Sequence, residues 1–555
     1  MPRLSLMERH IMQSSDCRDL FVERFEALVQ QRMAGKTQAE LAESPTNTRQ
    51  QRFGLPRDTH ELESVVRYNN IPVPVKIPTT IAAETVGDFS LISLIQTFSN
   101  PHTTSPQPFA TLHAHLTTAG PLTHPVIVLL NALLTQKRVV FIGHNLPSSQ
   151  VAETVLAACA LASGGILRGF IRHAFPYTDL TKIDDLLKVP GFIAGVTNPT
   201  FSNHAEWWDL LCDLQTGRMT ISPKIEQAAA SEGVAFFQQP AAALQSAGLD
   251  GKGLGALASA GATLSAGLGG GVFPSSGGDA TGDNAFMNSV LSAISERRGE
   301  SSIRARFRLW VLKFTRLTAA FEEMVYGASA LVISSPTLEQ QDSPDSSPPL
   351  SSSGFSRAAS ITAGSIAGSH SKEDNAATKG HGYVWASQVD KIRELAANAT
   401  RIEGWMKTRS YYNYIQDLAV YYSYRTVKDI DLQHLHDKLA QLRMGADPSG
   451  AIYIAICNAV VSDTQIDQLL VTLVNTSPSP GSGTTHSANA GGVAGGSGLF
   501  HIALGLFHPK SEVREKSADL LARVRDHEAG RHFWNKLGAF EKAAWERVDA
   551  ARAEK

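Results

Sequence analysis

His527-Glu528-Ala529-Gly530-Arg531-His532 is the segment that comes nearest to a metal motif, because paired histidines flanking a glutamate can form a zinc helix. Such a helix needs its histidines at i and i+4 so that both imidazoles face one ion. Here they are five apart, and Gly530 weakens any helix between them. The glycines at 251–255 and 267–271 suggest phosphate loops, yet neither forms G-x-G-x-x-G after a strand or G-x-x-x-x-G-K-[ST]. There is no G-x-S-x-G elbow, and no Ser/His/Asp or Cys/His set stands out. The expectation is a chain with no metal, no cofactor and no active-site chemistry, which acts by binding.

Three features could bind. A basic stripe, Arg297, Arg298, Arg304, Arg306, Arg308, Lys313 and Arg316, surrounds an apolar helical face and contains one acid, Glu300. It could meet anionic lipid or an acidic partner, but a solvated face whose long stems cover apolar surface is the preferred reading. Tyr411, Tyr414, Leu418, Tyr421 and Tyr422 share helical spacing, so they are expected in the core with polar tips, while Tyr412 and Tyr424 point outward. Ser335, Ser343 and Ser347 each precede proline, and Ser360 follows Arg357 at basophilic-kinase spacing; Ser343, Ser347 and Ser360 are the phosphosite candidates.

The totals bound these readings. The chain has 555 residues, 43% hydrophobic and 18% charged, with a formal net charge of −2. That length allows several domains, and near-neutral charge gives no global steering to nucleic acid or membrane. Cys17, Cys159, Cys212 and Cys457 lack C-x-x-C spacing and suit reduced thiols. The N-terminus lacks the apolar core of a signal peptide, and the longest apolar runs are too short or too polar to span a bilayer. The expected location is cytoplasmic.

These features need elements to position them. Residues 18–34 have helical spacing, and 70–95 alternate and carry prolines as short strands or loops do. Val126–Leu134 predicts a helix, Arg138–Ile142 a buried strand, and Pro147-Ser148-Ser149 the start of a helix with Val151, Val155, Ala158 and Cys159 on one face. Small residues at 157–165 would let another element approach closely. Phe192–Val196 and Arg218–Ile221 predict further strands. After Asp283 nearly everything reads as helix, led by the stripe Ile303, Phe307, Trp310, Val311, Phe314, Leu317, Phe321 and Met324. Further helices are expected over 384–442 and 450–473, and the end reads as a helical pair broken near Gly530. The fold class is therefore α/β followed by mostly α. Its expected divisions are an N-terminal helix and reduced upstream region (1–120), a central α/β module (121–239), an Ala/Gly/Ser linker (240–285), the start of a helical subdomain (286–333), a Ser/Pro-rich insertion (334–380), a helical region (381–475), a loop (476–497) and a C-terminal helical pair (498–555). The three low-complexity segments read as disordered, because they carry too little apolar surface to offset backbone ordering.

The segment PLTHPVIVLLNALLTQKRVVFIGHNLPSSQVAETVLAACAL resembles the central module of the DENN superfamily, and HAFPYTDLTKIDDLLKVPGFIAGVTNPTF resembles its next element. Residues 303–326 are similar to the first helix of the downstream DENN subdomain. In detail the chain looks most like the fungal branch named for stabilisation of the polarity axis, docking proteins for Arf-type GTPases. That resemblance implies a regulator of small GTPases in polarised vesicle traffic, expected to act as a guanine-nucleotide exchange factor for a Rab-type GTPase. Its alternative is a non-catalytic polarity scaffold docking an Arf- or Rab-type GTPase at the cell cortex. It implies contact with a small GTPase and peripheral membrane association at the cortex or a vesicle, without nucleic acid; oligomeric state is left open. The implied GTPase interface is Tyr177, Thr178 and Asp179 in the Pro176–Asp179 turn, Asn198 at a strand end, and Arg304 and Arg308 on the long helix. Taken singly, Tyr177 and Asp179 are read first as a tight turn and Asn198-Pro199 as a strand terminator. One departure stands out: a longin-like module usually precedes Leu122, and the residues there suggest either a truncated chain or a reduced module.

Overall fold

The protein is described from a computed structural model, which covers residues 61–68, 71–78, 83–85, 87–238, 279–327, 329, 378–428, 430–476 and 498–553. The helix expected at 18–34 and Ser343, Ser347 and Ser360 lie outside these residues.

Two long strands come first, β1 (Glu61–Tyr68) and β2 (Ile71–Pro78), paired antiparallel from Tyr68↔Ile71 to Glu61↔Pro78. Pro72, Pro74 and Pro78 sit at alternate register positions, where the missing N–H groups face away from β1 and cost the ladder nothing. Helix α1 (Leu91–Thr104) follows, inside and beyond the stretch expected as strands or loops. Its buried Leu91, Leu94, Ile95 and Phe98 repeat at i, i+3, i+4, i+7, a helical signal that the nearby Pro101 obscures.

The central module alternates as the apolar runs require. It comprises α2 (Pro125–Leu134), β3 (Val139–Ile142), α3 (Ser148–Ser163), β4 (Ala174–Phe175), α4 (Ile183–Leu187), β5 (Ile193–Val196), α5 (Thr200–Asn203), β6 (Leu210–Asp213), β7 (Arg218–Ile221) and α6 (Glu232–Phe237). The sheet runs β4-β5-β3-β6-β7, with the first four strands parallel and β7 antiparallel. Val139 and Phe141 of β3 enter the large core under α1–α3, while Val140 and Ile142 enter a smaller core on the other face with Phe192, Phe201 and Trp208. Burial on both faces explains why these strands are continuously apolar rather than alternating.

Beyond residue 279 the described chain is helical. The helices are α7 (Asp283–Ser295), α8 (Glu300–Val325), α9 (Gln388–Met406), α10 (Arg409–Tyr424), α11 (Leu432–Gln441), α12 (Ala446–Ala459), α13 (Asp463–Thr476), α14 (Leu499–Ala503), α15 (Ser511–Asp526), α16 (Gly530–Asn535) and α17 (Ala539–Ala553). Asp283–Ala285, expected as linker, already form the first turn of α7. The stripe of α8 is buried against α3 and α9 in the same core as the sheet, with Met324 at its edge. Gly164 is what permits the close approach: a Cβ there would meet Val311 Cγ2 at 2.8 Å. Helices α11–α17 enclose a second core running from Val427 to Trp545. The expected terminal pair is four helices, α14 to α17, because the chain breaks before Ser511, at His527–Ala529 and again at Lys536–Gly538. His527 therefore lies outside the helix that holds His532.

Candidate functional site

Parallel strands deliver their following loops to one end of the sheet. Ile142 pairs with Val196 and Phe175 with Ala194, so the loops after β3, β5 and β4 emerge side by side. Gly143 and Gly195 make this edge possible. A Cβ on Gly143 would lie 2.5 Å from Val151, and one on Gly195 would lie 2.3 Å from the Pro176 carbonyl and 2.8 Å from Val151. The first turns of α3 thus press directly on the strand ends.

Four of the six interface candidates meet here. The Thr178 N–H donates to the Gly195 carbonyl at 2.9 Å, and its side chain is buried. Tyr177 is half exposed, with its hydroxyl 3.0 Å from Thr197 Oγ1. Asp179 accepts from the N–H of Thr181 at 2.9 Å and from its hydroxyl, and these bonds hold the carboxyl below its ordinary range. Asn198 accepts from the Thr200 N–H at 2.9 Å, which starts α5. Asp179 and Asn198 are thus occupied in shaping the backbone, as caps and Asx turns do. Tyr177 is the anchor left facing outward. His144 and Asn145 are also exposed on this edge, Asn145 at φ 62°. They were not singled out from sequence, although the glycine ending each apolar run marks which loops must share the edge.

Arg304 and Arg308 lie elsewhere. Arg308 Nη1 approaches the Gly165 carbonyl at 3.5 Å, just past the C-terminus of α3. The 16 residues of α3 separate it from the Tyr177 edge by about 24 Å along the helix. Arg304 pairs with Glu300 at 3.2 Å and lies 4.9 Å over the Phe89 ring. Glu300 also accepts from the N–H groups of Leu91 at 2.8 Å and Ile92 at 3.2 Å, so it caps α1. Arg298 pairs with the nearby Glu296 at 2.6 Å and Arg297 is exposed, whereas Arg306 reaches Ser289, Lys313 pairs with Glu394 at 2.6 Å and Arg316 with Asp437 at 2.8 Å. These cations clamp neighbouring elements, and the six candidates do not form one patch.

The tyrosines divide in part as their spacing predicts, since Leu418, Tyr421 and Tyr422 are half-buried and belong to neither core. Tyr411 and Tyr414 pack on the first core, Tyr411 donating to Glu322, whereas Tyr412 and Tyr424 are exposed. Cys159, Cys212 and Cys457 are free and buried. Among the described residues no group of His, Cys, Asp or Glu could hold a metal ion, and no helix is long and apolar enough to cross a membrane.

The packing of Gly195 gives a direct test of how the edge is built. Gly195→Ala should cost roughly 1–3 kcal/mol through overpacking and displace the Pro176–Asp179 turn. A urea midpoint unchanged from wild type would show that the turn does not depend on this contact.

Residues 112–223, which hold the edge and its sheet, match the model of a family described as stabilization of polarity axis. Along most of its length the chain is similar to an AFI1-like protein of Schizosaccharomyces pombe (strain 972), 27% identical over 477 residues, 86% of this chain. The chain spans 61% of that relative's length. No solved structure matches. The family model covers a minor part of the chain, and neither finding names a DENN module or an exchange activity.

Proposed function

We propose that this chain is a DENN-like polarity regulator that docks a small GTPase, of Rab or Arf type, on the C-terminal edge of its sheet. The observation that carries the reading is Tyr177, a half-exposed aromatic fixed by Thr197 on strand ends that α3 holds rigid. A stiff aromatic with a polar tip is the kind of anchor that interfaces concentrate. Exchange needs no nucleophile. A surface that binds the nucleotide-free GTPase better than the loaded one shifts the switch segments toward release. Docking at the cell cortex or a vesicle periphery would place that regulation where polarity is set.

A second reading, docking without exchange, is favoured by a specific observation: Asp179 and Asn198 spend their side chains on their own backbone. Release of a fluorescent nucleotide from a panel of purified Rab- and Arf-type GTPases separates the two. Acceleration by the full chain supports exchange, and binding without acceleration supports the scaffold. Binding to no member would remove both. Tyr177→Ala should weaken binding to the responsive member about tenfold or more, while its exposure leaves the fold intact.

A further inference from the structure

The hairpin of β1 and β2 stands apart from the two helical cores. Its strands form a sheet of their own, and among the described elements neither packs extensively on any other. A lone pair of strands is marginally stable in water, and a third strand or a packed face is what secures it. Each strand also has an outer edge, whose backbone N–H and C=O groups can template a further strand.

The two edges are not equivalent. Pro72, Pro74 and Pro78 cannot donate, so the hydrogen-bonded pairs are those of Ile71, Val73, Val75 and Ile77 with Tyr68, Val66, Ser64 and Leu62. The outward positions of β2 are therefore Pro72, Pro74, Lys76 and Pro78, and only Lys76 offers an N–H. On β1 the outward positions are Glu61, Glu63, Val65 and Arg67, and each keeps both donor and acceptor. The β2 edge is closed to another strand, and the β1 edge is open to one.

The residues of β1 decide which strand fits. Turned antiparallel about Ser64, a second copy of β1 sets its Arg67 opposite Glu61, its Val66 opposite Leu62 and its Val65 opposite Glu63. That register joins every outward position in a hydrogen-bonded pair. It also places a glutamate against an arginine at each end, a favourable cross-strand pairing. Centring on Val65 instead would leave Glu61 outside the ladder. A parallel, in-register alignment would set each charged residue against its own kind. Charges that only guarded a free edge would have no reason to complement themselves in this way.

We infer that β1 is a self-association edge, through which two copies of this chain join their hairpins into one sheet of order β2-β1-β1-β2. The two-fold axis passes at Ser64, and such an isologous contact closes after two copies. The inference does not rest on GTPase docking, because the Tyr177 edge belongs to the other sheet.

The test follows the mass of the full chain by sedimentation velocity over a range of concentrations. Wild type should show a concentration-dependent equilibrium between monomer and dimer. Val65→Pro removes an outward donor where proline costs the hairpin nothing, and should weaken association about tenfold or more. Glu61→Arg sets arginine against arginine at both ends and should weaken it comparably, while Glu61→Arg combined with Arg67→Glu should restore it. Lys76→Pro, on the closed edge, should leave association unchanged. A thermal melt checks that each variant is folded. Wild type that stays monomeric at every concentration overturns the inference, and so does a dimer that Val65→Pro or Glu61→Arg leaves intact. A double variant that associates no more tightly than Glu61→Arg alone overturns it as well, since charge pairing would then not set the register.

Discussion

Arg401→Ala is expected to destabilise the first core by roughly 3–5 kcal/mol, the cost of leaving a buried charge without its partner. Arg401 and Asp283 have side chains 1% and 2% exposed and meet at 2.8 Å. Arg401 also donates to Asn131 Oδ1 at 3.1 Å and to Asn398, while Trp310 Nε1 donates to Asp283 at 3.2 Å. The guanidinium lies 5.1 Å from the Trp310 ring centroid and 5.5 Å from that of Phe314. One side chain thus joins α2, α7, α8 and α9, which is how the sheet module is fastened to the helices. Whole domains are stable by only about 5–15 kcal/mol, so the loss is a large fraction of the total. Urea unfolding followed by tryptophan fluorescence reads it, since Trp310 and Trp405 flank the pair. Pairing Arg401→Met with Asp283→Asn should recover part of the loss, because the lone buried charge is gone while the side-chain oxygens of Asn131 and Asn398 lose their donor. A shift below about 1 kcal/mol for Arg401→Ala would mean that the pair does not fasten the module.

The second large effect lies at Asp431, where the polypeptide enters α11. Its carboxylate accepts from Tyr422 at 2.5 Å and from the N–H groups of Gln433 and His434 at 3.0 and 3.1 Å, with Arg425 at 3.5 Å. Burial pushes this carboxyl up, but Arg425, the Tyr422 hydroxyl, Arg316 and the His434 N–H outweigh it and hold it well below the ordinary range. Because the folded value lies below the unfolded one of about 3.9, its stabilisation is complete above that pH and drains away below it. Asp431→Asn keeps the cap but loses the charge, at roughly 3–5 kcal/mol near neutrality. An earlier acid loss has a different source. Burial lowers His115, His124 and His434 to about 3 and His501 to about 4. Neutral in the fold and free to protonate when unfolded, they withdraw stability from about pH 6.5 downward. Stability measured against pH should therefore fall in two stages, and Asp431→Asn should flatten the stage below about pH 4 while sparing the upper one. A variant curve parallel to wild type at low pH would contradict this assignment.

Much of the scaffold was legible from the residues. Val139–Ile142, Ile193–Val196 and Arg218–Ile221 announce themselves as β-rich runs bounded by glycine, proline or turn residues, and α8 by its unbroken stripe. Leu210–Asp213 escaped because a short leucine-rich run reads as helix or strand alike, and Ala174-Phe175 because two residues carry no period. The long-range pairs were not legible at all. Arg316 and Asp437 are 121 positions apart and Arg401 and Asp283 118, so the basic stripe looked free when its acids were simply distant. One local clue did exist. Asn131 is the sole polar residue in Pro125–Leu134, and a lone amide in an apolar helix implies a buried hydrogen-bond partner. On the candidate edge, sequence located the turn and the strand end, but only the register of β4, β5 and β3 shows that they adjoin.

The claim that matters most is that the Tyr177 edge is where a small GTPase docks. Binding of nucleotide-free Rab- and Arf-type GTPases to the full chain, compared between wild type and Tyr177→Ala at matched folding, tests it directly. The account predicts that at least one GTPase binds and that its affinity falls about tenfold or more in the variant. A GTPase that binds both proteins equally well would place the docking surface elsewhere and contradict it.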